Sequence, residues 1–189
     1  MALPQPKLTL DTFLTWENEQ TTRNFFYHGE VFAMVGVRQA HAHVTLNLGA
    51  TLKAALRGTP CRAFVADMKL RVDAADAVFY PDVMVGCDPR DRATPLYLSY
   101  PKLIVEVLSD STAAFDRGDK FVACRRIDTL EEYALVDVDA RRVESFRRNA
   151  EGLWVLHEFS GTQAVEFASI GVIIDSETLY ENVEEIEAE

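Results

Sequence analysis

Two carboxylates lie where the surrounding sequence is apolar. Asp82 follows Pro81 directly and begins the apolar stretch "DVMVGC", and Glu106 interrupts the apolar run "KLIVEVLS". A buried charge is costly unless it is paired or coordinates a metal. Two such acids on neighbouring predicted strands therefore call for a common explanation.

A lysine on the next predicted element can supply a partner for them. The stretch "DRGDKFVACRRI" predicts a helix of about three turns that runs from Asp116 to near Ile127. Lys120, Cys124 and Ile127 stand at positions i, i+4 and i+7, so the lysine shares the apolar face that must lie against the sheet. Lys120 is therefore predicted to converge with the two acids.

This trio has two interpretations. In the structural one, the acids lie at strand ends, reach solvent, or form an ion pair with Lys120. In the functional one, Asp82 and Glu106 hold Mg²⁺ or Mn²⁺, which are hard cations that prefer oxygen ligands, while Lys120 orients a water or stabilises phosphoryl charge. The pattern by itself leaves both open.

The elements that must position these residues follow from hydrophobic periodicity. A short helix is predicted behind the N-cap Thr9, and two short strands are predicted around His28 and Gly29, with Glu30 beginning the second. "QAHAHVTLNLGATLKAALRG" has a helical apolar stripe that includes His41 and ends at a capping glycine.

The later part of the chain is predicted to be mainly strands. "AFVADMKLRVD" alternates as one half-buried strand, "VFYPDVMVG" follows as another, and "KLIVEVLS" has the composition of a central strand covered on both faces. After the helix that carries Lys120, "EEYALVDVDARRVESFRRN" predicts two strands around a turn, and "LWVLHEFS" predicts a third. The order indicates an α/β (α+β) domain with one main mixed sheet.

Length and charge narrow the possible classes. The 189 residues suit a single domain spanning 1–189, and the apolar fraction of 48% is typical of a water-soluble globular protein. The net charge of −11, part of it from an acidic tail at about 181–189, argues against coating nucleic acid by broad electrostatics. With no membrane-spanning apolar run and no secretory signal, a cytoplasmic location is expected.

The cysteines and histidines predict no special chemistry. Cys61, Cys87 and Cys124 are widely scattered, so we expect ordinary reduced thiols rather than a disulfide or zinc site. His41 and His43 point apart on a helix, which disfavours zinc.

Several of these stretches together resemble one family. The series Pro81-Asp82, "PKLIVEVLSDST", "DRGDK" and "EEYALVDVDARRVESFRR" is similar to the Uma-type family of bacterial endonucleases, within the restriction-endonuclease-like PD-(D/E)XK superfamily. The similarity extends from "LTLDTFLTWE" to "SIGVIIDSETLY". It implies a restriction-endonuclease-like core, in which a mixed central sheet is flanked by helices.

The resemblance also assigns roles to the trio. It makes Asp82 and Glu106 metal ligands for Mg²⁺ or Mn²⁺, together with the backbone carbonyl of Val107. The superfamily lysine would lie two residues beyond the acid, where this chain has Leu108. The resemblance instead implies that Lys120, on the next helix, is the catalytic lysine.

Other residues are weaker candidates. Glu30 matches an acid of the family and is expected to act as an outer ligand or to help position water, unless it is simply an exposed strand-end glutamate. His41 and Asp67 are further candidates for the site, against a core histidine and a surface acid. Phosphate contacts are a hypothesis for Arg117, Arg125 and Arg126.

The implied reaction is hydrolysis of a DNA phosphodiester bond, with DNA as the partner and a homodimer as a plausible assembly for cutting two strands. Two alternatives remain at this point. One is a nucleic-acid-binding or regulatory module that does not cleave, and the other is a metal-dependent hydrolase of a smaller phosphate ester.

Overall fold

The computed structural model describes residues 8–183. Its helices are α1 (Leu10–Glu17), α2 (Gln39–Ala55), α3 (Ala113–Phe115), α4 (Phe121–Cys124) and α5 (Ser176–Leu179), with a π-helical turn (Asp116–Lys120) between α3 and α4 and 3₁₀ turns at Asp73–Ala75, Pro89–Arg92 and Ala168–Ile170. Its strands are β1 (Asn24–Tyr27), β2 (Glu30–Ala33), β3 (Arg62–Val65), β4 (Lys69–Val72), β5 (Ala77–Phe79), β6 (Val83–Gly86), β7 (Tyr97–Leu98), β8 (Pro101–Val107), β9 (Glu132–Asp137), β10 (Arg142–Arg148), β11 (Trp154–Ser160), β12 (Val165–Phe167) and β13 (Val172–Ile174).

The strands form two large mixed sheets and one small one. A six-stranded sheet has the order β11-β10-β9-β8-β6-β3, and a five-stranded sheet has the order β2-β1-β5-β4-β7. The pairs β8/β9 and β4/β7 are parallel, whereas the other pairs in these two sheets are antiparallel. The α+β class with mixed sheets is thus confirmed, but the expectation of one main sheet was wrong.

The chain changes sheets twice where single strands were predicted. In the first case, Ala66 has a positive φ of 42°, which ends β3 in one sheet before β4 begins in the other. In the second, residues 80–82 carry the chain from β5 to β6. The two places where the chain changes sheets are in contact, because the N–H of Ala66 donates to the carbonyl of Asp82 at 2.9 Å. Asp82 therefore lies at a crossover, just before its strand rather than within it.

The predicted N-terminal elements are confirmed. Thr9 caps α1 through the N–H of Thr12 at 3.2 Å. His28 and Gly29 have φ values of 50° and 85° in the β1–β2 turn, which is the left-handed pair that tight hairpins favour. The long helix is α2, and its buried stripe includes His41.

Strand β8 is the central strand that was predicted, and its two faces meet different layers. Leu103 and Val105 pack in the cluster that contains the α2 stripe, whereas Ile104 and Leu108 pack in the cluster that contains α4. Side chains alternate along a strand, so Glu106 points to the α4 side. This face is also the side from which Lys120 approaches.

The segment that carries Lys120 is helical over 113–124 rather than over 116–127, and it is not one regular helix. Its middle is the π-helical turn, with a kink at Gly118. The predicted inward face is nevertheless observed, since Lys120, Cys124 and Ile127 are all buried.

Two of the three cysteines differ from expectation. Cys61 and Cys87 form a disulfide, and only Cys124 remains a free, buried thiol among the described cysteines. Antiparallel pairing of β3 with β6 puts Arg62 opposite Gly86, and this pairing brings the two flanking cysteines together. Their sequence separation of 26 residues gave no signal of this contact.

None of the helices within residues 8–183 is long and apolar enough to cross a bilayer. The predicted acidic tail falls mostly outside the described residues.

Candidate active site

The structure brings Asp82, Glu106 and Lys120 together. Lys120 Nζ lies 2.8 Å from Glu106 Oε1, and both side chains are buried, with 7% and 2% of each residue exposed. The backbone N–H of Asp82 donates to Glu106 Oε2 at 3.4 Å. Glu106 therefore links the lysine on one side to the crossover at Asp82 on the other.

The carboxylate of Asp82 is held from two directions. Its Oδ2 accepts a hydrogen bond from the N–H of Val107 at 2.8 Å and lies 3.3 Å from His41 Nε2. The backbone N–H of Val107, the last residue of β8, thus holds the Asp82 carboxylate beside the end of this strand. About a quarter of the Asp82 side chain remains exposed, so it can meet a ligand.

His41 reaches the site from the opposite layer. It lies on the buried stripe of α2, and its Nδ1 is 3.5 Å from the hydroxyl of Thr45 one turn later. The contact with Asp82 joins α2 to the crossover between β5 and β6. His41 thus belongs to the site as a neighbour of Asp82. The sequence had indicated His41 only as a secondary candidate.

A third carboxylate, Asp116, was missed by sequence reasoning, which gave it the role of starting a helix. Its side chain is buried, and Oδ1 lies 3.2 Å from Lys120 Nζ. The backbone carbonyl of Asp116 accepts a hydrogen bond from the hydroxyl of Tyr133 at 2.9 Å, which anchors the π-helical turn to β9. The signal was present in the i, i+4 spacing of Asp116 and Lys120.

These contacts leave an excess of negative charge around one lysine. Burial raises the pKa of Glu106 well above its ordinary value; Lys120 opposes this increase, while Asp116 and Asp82 add to it. Burial by itself would lower the pKa of Lys120, but Glu106, Asp116 and Asp82 outweigh it and raise that pKa, so the lysine stays protonated.

The site opens into a cavity of about 540 Å³. Asp82, Asp116, Lys120 and His41 line its polar end. The remaining lining comes largely from the β1–β2 hairpin, from residues 34–38 after it, and from the 109–115 segment after β8. A ligand in this cavity would therefore meet the carboxylates and the lysine at one end.

Other residues proposed from sequence lie elsewhere. Glu30 is exposed at the start of β2, and Asp67 is exposed and paired with Arg23; neither lines the cavity. Arg117 is exposed and forms an ion pair with Glu144. Arg125 and Arg126 are exposed as well and do not line the cavity.

Leu108 stands at the position where the resemblance placed the superfamily lysine. It is buried in the core next to α4, and its backbone N–H donates to the carbonyl of Val136 at 2.8 Å. Lys120 from the π-helical turn instead fills the space beside Glu106. The ammonium group thus reaches the acid from a different element.

The donor set suits a divalent cation by its chemistry. Asp82, Glu106 and Asp116 offer hard oxygen ligands and more negative charge than Lys120 neutralises. Over residues 8–183, however, no group of three or more His, Cys, Asp or Glu side chains is arranged to hold a metal. Mg²⁺ commonly needs only one or two carboxylates because it keeps several waters, so the two observations are compatible.

Comparison with known proteins places the chain in a family. A family model described as "Uma2: Putative restriction endonuclease" matches residues 10–173. Two uncharacterized proteins of Synechocystis sp. are 32% and 34% identical over 177 and 164 residues, covering 94% and 85% of this chain and 93% of each relative.

A solved structure has the same fold. It is described as a putative nuclease belonging to DUF820 from Anabaena variabilis, and it matches with a TM-score of 0.75 at 17% identity, covering 92% of this chain and 97% of its own. Because the family model spans most of the sequence and both relatives align along most of their length, this chain belongs to the Uma2 family of restriction-endonuclease-like proteins.

Proposed function

We propose that this protein is a metal-dependent endonuclease that hydrolyses DNA phosphodiester bonds. The observation that carries the proposal is the buried Glu106–Lys120 pair, which lies beside Asp82 at the polar end of an open cavity. A buried ion pair is weak evidence for stability, because well-packed apolar residues often serve as well or better. A charged pair that also borders a cavity is a candidate for chemistry.

The proposed ligands of Mg²⁺ or Mn²⁺ are the carboxylates of Asp82 and Glu106 and the backbone carbonyl of Val107. When bound, the ion would polarise the scissile phosphate and neutralise its charge. Val107 contributes twice in this scheme, since its N–H also orients Asp82.

Lys120 has two tasks in the proposed reaction. Its raised pKa keeps it protonated at neutral pH, so it can donate to a phosphate oxygen or to the attacking water as negative charge develops. Asp116, whose Oδ1 lies 3.2 Å from Lys120 Nζ, helps to hold the ammonium group beside Glu106. His41 orients Asp82 through the 3.3 Å contact.

A homodimer would place two such sites on one duplex, which is the simplest way to cut both strands. Size-exclusion chromatography with light scattering, with and without DNA, tests this part of the proposal. A monomer in both conditions would limit each protein to one strand per encounter.

A second candidate is a nucleic-acid-binding module that does not cleave. It is favoured by the direct Lys120–Glu106 contact, which occupies a carboxylate oxygen, and by the lack of a three-ligand metal cluster over residues 8–183. A hydrolase of a smaller phosphate ester is a further alternative, and the charge of −11 suits a substrate less charged than DNA.

The deciding experiment is cleavage of plasmid and linear DNA with Mg²⁺, with Mn²⁺ and with EDTA, comparing the wild type with Glu106→Ala and Lys120→Ala. Lys102→Ala and Glu131→Ala are matched controls, because they remove the members of an exposed ion pair at the other end of β8. Circular dichroism establishes that each variant is folded.

Cleavage that needs the metal, is lost in both site variants and persists in both controls supports the proposal. Cleavage that survives Glu106→Ala and Lys120→Ala would refute the assigned site. Metal binding that depends on Glu106 without DNA cleavage would favour the small phosphate ester, and DNA binding without metal would favour the non-cleaving module.

A further inference from the structure

The wall of the cavity is aromatic, in contrast to its polar end. Phe25, Phe32, Phe79 and Phe115 all line it. The rings of Phe25 and Phe32 stack across the β1–β2 hairpin with centroids 4.8 Å apart and planes at 13°. This pair forms a flat apolar part of the cavity lining, and Phe32 is its more exposed member.

The aromatic wall is continuous with the catalytic end. Lys120 Nζ lies 5.9 Å from the centroid of the Phe79 ring, and Phe79 meets Phe115 edge to face at 6.0 Å. Phe115 in turn lies 5.2 Å from Phe25, which stacks on Phe32. A chain of rings thus connects the lysine to the rim.

The end of this wall is accessible to a ligand. Phe32 is 38% exposed, and the apolar residues that follow β2 are open too, with Val35 exposed at 71%. Exposed apolar side chains grouped around a cavity mark a binding surface more often than a chance patch.

The charges around the cavity are few. Among the lining residues the permanent cations are Arg38 and Lys120, and each already faces a carboxylate, Asp139 and Glu106 respectively. Tight binding of a DNA duplex relies mainly on neutralising many phosphates. A cavity of this composition must obtain affinity from another source, and stacking of bases on aromatic side chains is such a source.

We infer that the aromatic wall binds an unpaired nucleobase, so that the preferred substrate is DNA with a base outside the duplex stack. This inference rests on the proposed nuclease function. A phosphodiester at the carboxylate–lysine end carries a nucleoside on each side, and the cavity leads from that end along the rings to Phe32. The base of one neighbouring nucleoside stacks on Phe32, and a paired base inside a duplex cannot do so.

The test measures binding without cleavage. Fluorescence anisotropy in EDTA compares a labelled oligothymidylate with an abasic strand of equal length, which has the same phosphates but no bases. The wild type should bind the oligothymidylate about 5- to 150-fold more tightly. Phe32→Ala should remove most of this difference, Phe32→Tyr should keep it, and Leu153→Ala should leave it unchanged, because Leu153 is exposed but does not line the cavity.

Two further DNA substrates distinguish an extrahelical base in a duplex from a base in single-stranded DNA. A fully paired duplex should bind more weakly than the single strand, and the same duplex with one bulged thymine reports on an extrahelical base. Gain of Phe32-dependent binding by the bulged duplex supports recognition of an extrahelical base, and binding of the single strand alone supports single-stranded substrate.

Equal affinity for the abasic strand, or equal weakening of both strands by Phe32→Ala, would overturn the inference. Metal-dependent cleavage together with base-independent binding would sink the base site and leave the nuclease proposal standing. Base-dependent binding without any cleavage would support the base site and refute the nuclease proposal.

Discussion

Replacement of Lys120 by Met tests the electrostatic account of the site. Methionine has a similar volume but no charge, so it leaves the buried carboxylates of Glu106 and Asp116 without their cation. Removal of one member of a buried ion pair typically costs about 3–5 kcal/mol. For a domain of this size, that loss lowers Tm by roughly 6–20 °C, at about 2–4 °C for each kcal/mol.

The effect should depend on pH in a defined direction. The folded pKa of Glu106 lies above the unfolded value of about 4.3. Ionisation of this group therefore destabilises the fold as pH rises from the unfolded pKa toward the folded pKa. In the wild type, Lys120 limits this loss because it lowers the pKa of Glu106; in Lys120→Met it cannot. The difference in unfolding free energy between the two proteins should therefore be larger at pH 8 than at pH 5.

Urea denaturation at both pH values, followed by circular dichroism, gives these free energies. Lys102→Met is the matched control, because its exposed pair with Glu131 should be worth less than about 1 kcal/mol. The double variant Glu106→Gln/Lys120→Met should recover part of the loss. The same destabilisation at pH 5 and pH 8 would refute the reasoning and indicate lost packing instead.

Three other expectations follow from contacts elsewhere in the site and from the disulfide. Asp82→Asn should slow DNA cleavage at least about 100-fold, whereas Glu30→Gln, at an exposed residue, should change the initial rate by less than about threefold. A larger loss of rate in Glu30→Gln than in Asp82→Asn would exchange the roles of the two acids. His41→Asn should raise the metal concentration needed for half-maximal cleavage about tenfold or more, because Asp82 loses its orienting partner, and an unchanged metal titration would contradict this. The double variant Cys61→Ser/Cys87→Ser should lower the unfolding free energy by roughly 3.5 kcal/mol on a chain-entropy estimate. Thiol counting on the denatured wild type should find one free cysteine, and a count of three would refute the disulfide.

The sequence by itself predicted many of the helices and strands and the central residues of the candidate site. Apolar runs interrupted by a carboxylate identified Glu106, and the helical spacing of Lys120 with Cys124 and Ile127 predicted that the lysine points inward. These predictions follow from local periodicity, which is a property of consecutive residues. The positive φ values at His28 and Gly29 were likewise foreseeable from a turn dipeptide.

The tertiary structure alone decided how the elements combine. The crossover at residues 80–82, the switch of sheets at Ala66, and the disulfide between Cys61 and Cys87 all depend on strand pairing across long separations. The π-helical turn also makes Asp116 a site residue, because it places Asp116 Oδ1 3.2 Å from Lys120 Nζ.

Packing also decided which candidate acids reach the cavity. Glu30 and Asp67 were plausible by residue type, but the hairpin and the sheet switch leave both at the surface. Local sequence specifies which side chains can carry charge, whereas long-range strand pairing and layer packing fix which of them meet. The sequence therefore predicted that Asp82, Glu106 and Lys120 converge, but it did not predict that Asp116 joins them.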